Sequence, residues 1–208
     1  TQKMTYNHNN ISDDLIRQRE ENFNENFINS LGINLDISQY EGKQNKDIGN
    51  DSTPYMTVWL KNIDRLMGLI PSDIKLENYH LCDVGCGLGV STIYLKKKYK
   101  FKSFAGFDFN RVLIDKAKLI SKDLELENAI EFEFKNAKEK ILESKPHLLF
   151  MFNPFGINTI QRFIDNNIEV LKAKKVIVLY ANDLHVNEIK GYKKINRDAY
   201  FNLSALIF

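Results

Sequence analysis

From His80 onward, short apolar bursts alternate with longer amphipathic stretches, and no other feature restricts the fold as tightly. The bursts are His80–Val84, Phe101–Phe107, Ile130–Phe134, Leu148–Phe152 and Val176–Tyr180. Between them lie Val90–Tyr99, Arg111–Leu124, Ala137–Leu142 and Ile157–Leu171. Leu113, Ala117, Ile120 and Leu124 recur at helical spacing in the second stretch, as do Ile160, Phe163, Ile164, Ile168 and Leu171 in the last. An apolar burst has no polar face to turn to water, so each strand needs cover on both sides. Parallel strands also need crossovers, which the helical stretches supply. The pattern predicts an α/β fold of three layers, a doubly wound, mostly parallel sheet between helices. Beyond it, Tyr192–Arg197 and Asn202–Phe208 read as a C-terminal antiparallel hairpin around Asp198-Ala199-Tyr200, which makes the sheet mixed.

Residues 1–78 are expected to form a helical extension or lid, and residues 79–208 the core. Ser12-Asp13-Asp14 reads as a helix N-cap, followed by Leu15, Ile16, Arg19, Phe23, Phe27 and Leu31 at helical spacing. Asp36 to Ser52 reads as a loop. Thr53-Pro54-Tyr55 is expected to open a second helix through Val58, Trp59, Ile63, Leu66, Met67 and Ile70, ended by Pro71-Ser72.

A net charge of +2, from 29 basic and 27 acidic residues, leaves no global field to attract nucleic acid or an anionic membrane. The local run Lys96 to Lys102 closes a helix, where the macrodipole and solvation account for it. No apolar run approaches the roughly 20 residues of a membrane span. Thr1 to His8 is polar, and no secretory signal is read there. Cys82 and Cys86 are too few for a disulfide framework or a zinc site, so no metal is expected; reduced thiols fit a cytoplasmic protein.

The chemistry is concentrated in Asp83-Val84-Gly85-Cys86-Gly87-Leu88-Gly89, where the first strand meets the first helix. Ligands of doubly wound sheets bind at the carboxyl ends of strands. Glycines there allow close backbone approach, and the helix N-terminus offers free N–H groups. A dinucleotide loop would place a sixth-position glycine at Val90, and Asp83 would repel a pyrophosphate, so a nicotinamide cofactor is disfavoured. A carboxylate at Asp83 suits a cationic ligand instead.

This loop resembles the first motif of the class I S-adenosylmethionine-dependent methyltransferases, and the order of later features extends the resemblance over Thr53 to Phe208. The resemblance implies a Rossmann-like fold with S-adenosylmethionine as cofactor and S-adenosylhomocysteine as product. It places Asp83, Gly85, Cys86, Gly87 and Gly89 around the cofactor. It makes Asp108, which ends the second strand, the ribose-binding acid, and lays Phe109 against the adenine. Asn136-Ala137 stands where many relatives have Asp-Ala; the Asn136 amide oxygen can still accept from the adenine amino group. Tyr55 and Trp59 are candidates to line the site from the N-terminal extension, Tyr55 on the cofactor.

The fourth burst runs into Asn153-Pro154-Phe155-Gly156, at the strand end that faces the methyl group in this family. A subset with Asn-Pro-Pro-aromatic methylates planar nitrogens, and this chain departs from that motif by one proline. Together with Tyr180-Ala181-Asn182, the Asn-Pro-Phe form looks more like small methyltransferases that act on small molecules or surface sugars. Of four histidines, His80 and His147 stand at strand starts, away from any ligand, and His8 lies in the N-terminal arm. His185, after the fifth burst, is the one placed as a general base. The expected catalytic set is therefore Asn153, Pro154, Phe155 and His185.

The leading expectation is direct methyl transfer to a small molecule or sugar, an oxygen acceptor favoured slightly over nitrogen. The alternatives are an N-methyltransferase on a nucleic-acid base or protein amide, and a cofactor-binding module without turnover. Oligomeric state is not legible.

Overall fold

The computed structural model describes residues 14–42 and 51–208. Ser12, Asp13, His8 and residues 43–50 of the expected loop lie outside the described residues.

In chain order the elements are α1 (Asp14–Ser30), α2 (Leu60–Met67), β1 (His80–Val84), α3 (Val90–Lys98), β2 (Ser103–Asp108), α4 (Arg111–Asp123), β3 (Ile130–Phe134), β4 (His147–Phe152), α5 (Ile157–Ala173), β5 (Ile177–Ala181), β6 (Lys194–Asp198) and β7 (Leu203–Ile207). The seven strands form one sheet in the order β3-β2-β1-β4-β5-β7-β6. The first five are parallel, and β7 runs antiparallel to both β5 and β6. This is the Rossmann-like sheet with a C-terminal hairpin that the alternation predicts. The chain builds outward from β1 to β3 and then returns to β4 on the other side of β1. Between β1 and β4 the sheet therefore has its topological switch point, with Val84 level with Met151.

Successive strand residues face opposite sides, and both sides are buried. Leu81, Leu148, Phe150, Ile177 and Leu179 join one apolar cluster with residues of α2, α3 and α4. Cys82, Val84, Leu149, Met151, Val178 and Tyr180 join the other with α5. The predicted stripes are recovered: Leu113, Ala117 and Ile120 are buried on α4, and Ile160, Phe163, Ile164 and Leu171 on α5.

Three local expectations change. Ala137–Leu142 holds only a 3-10 turn, Ala137–Glu139. Asn167 of α5, 2% exposed, takes the Leu142 N–H at 2.7 Å and donates to the Lys140 carbonyl at 2.9 Å, so the side chain uses the groups a helix would have paired. On α1 the stripe holds in part: Phe23 and Phe27 pack against the core and Leu31, just beyond the helix, is buried, but Leu15 is exposed and the fully buried residues of the helix are Glu20 and Asn24. Glu20 pairs with Arg65 of α2 at 2.8 Å. Finally, α2 starts at Leu60 rather than Thr53. The Asn24 side chain donates to the Val58 carbonyl and accepts the Leu60 N–H at 2.9 Å, which holds the chain extended up to the helix start.

Candidate functional site

At the switch point the chain leaves β1 through three glycines with positive φ, Gly85 (76°), Gly87 (52°) and Gly89 (76°). Such backbone suits glycine because a Cβ is strained there. The surroundings leave no room either. A Cβ on Gly85 would lie 2.4 Å from the Pro154 Cβ, and one on Gly87 2.2 Å from the Tyr55 ring. One on Gly89 would lie 2.4 Å from the Phe132 ring, the packing partner beneath the loop. The Gly85 and Cys86 N–H groups donate to the Phe107 carbonyl of β2, fixing the loop to the neighbouring strand.

Two carboxyl groups flank this loop. Asp83 is 2% exposed and accepts from the Thr92 hydroxyl of α3 at 2.7 Å. Burial pushes its pKa up to about 7, against the Thr92 hydrogen bond, with the Asp108 charge adding to the rise. Asp108 accepts from the Gly87 N–H at 2.9 Å through one oxygen and from the Asn110 N–H at 2.8 Å through the other. Burial raises the Asp108 pKa too, although the backbone N–H groups of Asn110, Gly87 and Phe109 oppose the rise. Among the described residues, neither carboxyl is ion-paired to a basic side chain. Two acids brought together without a cation form a pocket edge that favours a positively charged ligand. Cys86 is buried in the same loop, its thiol pKa raised by burial.

Beside Asp108, Phe109 stacks on Phe134, centroids 6.0 Å apart and planes 14° apart. Arg111 covers Phe134 from 4.1 Å. This aromatic ledge sits at the ends of β2 and β3. Asn136, at the end of β3, caps the 3-10 turn, its side chain accepting from the Lys138 N–H at 2.9 Å. Ala137 beside it is buried.

Opposite the glycine loop, Asn153 takes a positive φ of 36° and is 9% exposed. Its amide oxygen accepts from the Tyr180 hydroxyl at 2.9 Å. The Asn153 carbonyl accepts from the Thr53 hydroxyl at 2.8 Å, and the Pro154 carbonyl from the Thr53 N–H at 3.2 Å. Phe155 forms a β-bridge with Ser52. His185 lies in the turn after β5, its Nδ1 2.9 Å from the Glu188 carboxylate. Only its backbone N–H, 3.4 Å from the Tyr180 hydroxyl, connects it to Asn153.

The structure thus gathers Asp83, the glycine loop, Asp108, Tyr55 and Asn153-Pro154 around the switch point, and leaves the His185 ring on its own partner. Sequence reasoning missed Asp51 and Thr53 as members of this assembly, and it paired Tyr180 with the Asn153-Pro154 turn without foreseeing the hydrogen bond between them. Tyr180 carried a signal, a hydroxyl at an otherwise apolar strand position; Asp51 and Thr53 carried none, because their partners are about a hundred residues away. It also missed the lock behind the β5 end, where buried Asp183 accepts from Arg197 at 2.8 and 3.0 Å and from Ser204.

No curated protein sequence matches the chain. The fold is similar to that of an RNA methyltransferase from Salinibacter ruber solved with S-adenosyl-L-homocysteine, at 14% identity and a TM-score of 0.49, over 75% of this chain and 92% of that one. A ribosomal protein L11 methylase from Lactobacillus delbrueckii subsp. bulgaricus shares 15% identity and a TM-score of 0.49, over 71% and 77%. A methyltransferase from Thiobacillus denitrificans shares 16% identity and a TM-score of 0.41 over 58% of this chain; the match spans 47% of that longer protein. The family profile described as "Methyltransferase domain" matches residues 75–191, more than half of the chain and all of the glycine loop, Asp108 and Asn153. The chain belongs to the methyltransferase-domain family.

Proposed function

We propose that the protein transfers a methyl group from S-adenosylmethionine to a small molecule or sugar by direct displacement. The observation that carries this reading is the pair of carboxyls, buried Asp83 and half-buried Asp108, that have no basic ion-pair partner among the described residues and stand on either side of a glycine loop at the sheet's switch point. That donor set fits a cofactor bearing a sulfonium, an ammonium and a ribose, and fits a pyrophosphate poorly. When bound, the cofactor supplies an activated methyl group and departs as S-adenosylhomocysteine. Asp108 is positioned to accept ribose hydroxyls, and Asp83 to favour the cationic end. Phe109 and Phe134 offer a flat apolar face for the adenine. Asn136 caps the turn at the edge of that face, and its amide oxygen, which accepts from the Lys138 N–H, keeps a second lone pair for the adenine amino group.

On the acceptor side, Asn153, Pro154 and Phe155 form the wall at the β4 end. The Glu188 carboxylate takes up Nδ1 of His185, which leaves Nε2 as the ring nitrogen to face a hydroxyl acceptor. Positioning by the wall can itself supply much of the rate.

Methylation of a base or amide nitrogen is the second reading. The turn has a single proline before Phe155, one short of the Asn-Pro-Pro-aromatic form, which favours the first.

Isothermal calorimetry with S-adenosylmethionine, and NAD as comparison, tests the cofactor. Saturable binding of the former alone is expected, and Asp108→Ala weakens it by roughly 1.5–3 kcal/mol per lost hydrogen bond to a charged group. Binding of neither compound to folded protein would sink the reading.

A further inference from the structure

The stretch from Asp51 to Trp59, read from sequence as the end of a loop and, from Thr53, the start of a helix, crosses the mouth of the site instead. At its front, the Gly156 N–H donates to the Asp51 carbonyl at 2.8 Å. The Asp51 carboxylate accepts the Thr159 N–H at 3.1 Å and the Thr159 hydroxyl, so it caps α5, whose own N-cap, Gly156, carries no side chain. Thr53 binds both carbonyls of the Asn153-Pro154 turn. Two residues on, the Tyr55 ring abuts Gly87 with its Cδ2–Cε2 edge. The one stretch therefore touches the acceptor turn and the glycine loop, the two walls of the crevice between β1 and β4.

Its two ends are held differently. Val58, Trp59 and Leu60 are 1%, 5% and 0% exposed. None of the residues from Asp51 to Thr57 is fully buried; hydrogen bonds hold that part, together with the Tyr55 ring, which packs against the core cluster. Segments with little buried apolar area and solvent-accessible hydrogen bonds open locally, at far lower cost than the sheet.

We propose that Asp51–Thr57 is a strap, hinged at Val58–Leu60, that closes both walls of the site at once, and that the cofactor exchanges only when the strap lifts. The ligand half of this inference rests on the cofactor reading above; the opening does not.

Hydrogen exchange on the free protein tests the opening. The Thr53 and Gly156 amides exchange through a local opening, and Asp51→Ala speeds both at least tenfold while the sheet amides of Leu149 and Val178 keep their rates. Exchange of Thr53 and Gly156 only together with the sheet amides overturns the strap. The ligand half is tested by a staple. The bonds from Thr53 to Pro154 and from Gly156 to Asp51 make Ser52 and Phe155 the non-hydrogen-bonded antiparallel pair, whose close Cα approach suits a disulfide. In Ser52→Cys/Phe155→Cys, S-adenosylhomocysteine is expected to bind at least tenfold more slowly to the oxidised than to the reduced protein, followed by fluorescence of Trp59, the single tryptophan. Loaded before oxidation, it should leave at least tenfold more slowly. Equal rates in the two redox states overturn gating. Failure of both wild type and reduced variant to bind sinks the cofactor reading and the ligand half with it, while exchange still decides the opening.

Discussion

The Tyr180 hydroxyl donates to the Asn153 amide oxygen at 2.9 Å, from a side chain with 0% exposure. β5 thereby sets the orientation of a residue at the end of β4 whose backbone is already in the left-handed region. Tyr180→Phe removes the donor and strands a buried acceptor, at a cost of about 1–3 kcal/mol. In a chain of this size each kcal/mol lowers Tm by roughly 2–4 °C. Thermal melts should show that fall with S-adenosylhomocysteine affinity nearly unchanged; an unchanged Tm would mean Asn153 finds another donor.

Asp83 predicts a pH dependence of binding. Its folded pKa is raised by burial to about 7, so the free protein carries it largely protonated below that value. A cationic ligand favours the ionised form, so binding expels a proton and tightens as pH rises toward about 7. Calorimetry in buffers of different ionisation enthalpy should register the release. Asp83→Asn should bind more weakly above about pH 7, with a shallower slope, the remainder coming from Asp108, whose pKa is raised in the same direction. No proton release in wild type would remove Asp83 from contact with the cation.

Gly87→Ala forces a Cβ into left-handed backbone, at about 1–2 kcal/mol. It also sets that Cβ 2.2 Å from the Tyr55 ring. In urea unfolding, Tyr55→Ala in the same chain should recover the steric part and leave the backbone part. The double-mutant cycle should return a coupling of about 0.5–3 kcal/mol. Strict additivity would show that the ring moves freely off the loop.

At the opposite end of the sheet, His80 and His147 begin adjacent strands with ring centroids 6.1 Å apart. His147 donates from Nε2 to the Glu143 carbonyl at 3.1 Å, and its Nδ1 is buried without a partner. Burial, then Lys145, lowers the His80 pKa; for His147 burial leads again, and Lys145 lowers it further against the Glu143 hydrogen bond. As pH falls below about 6.5 the unfolded chain takes protons before the folded one, so stability is complete above that value and lost below it. His147→Gln keeps a donor to Glu143 and removes one titrating group. Its Tm should fall less than that of wild type between about pH 7.5 and 5. Parallel profiles would exclude His147 from the acid sensitivity.

Much of the site was legible because it is local. Asp83 and the three glycines are contiguous; Asp108 was named through the family resemblance, and the parallel pairing of β1 with β2 is what brings its carboxylate beside them. The extended run before α2 was not legible. Thr53-Pro54 is a good helix opening by local preference, and what overrides it is Asn24, 34 residues earlier, and the turn at Asn153, 100 residues later. The same holds for Lys140–Leu142, where a side chain from α5 takes the backbone bonds that a helix would have made.

By itself, then, the sequence determined the layers, the strand positions, the mixed hairpin and the acid-flanked glycine loop, because period-2 and period-3.6 burial and positive-φ glycine are properties of neighbouring residues. Tertiary structure alone decided that Tyr180 orients Asn153, that Asp51 caps a helix it does not belong to, and that Tyr55 lies on Gly87. Each depends on which strand ends the switch point brings together, and that proximity has no trace in local spacing.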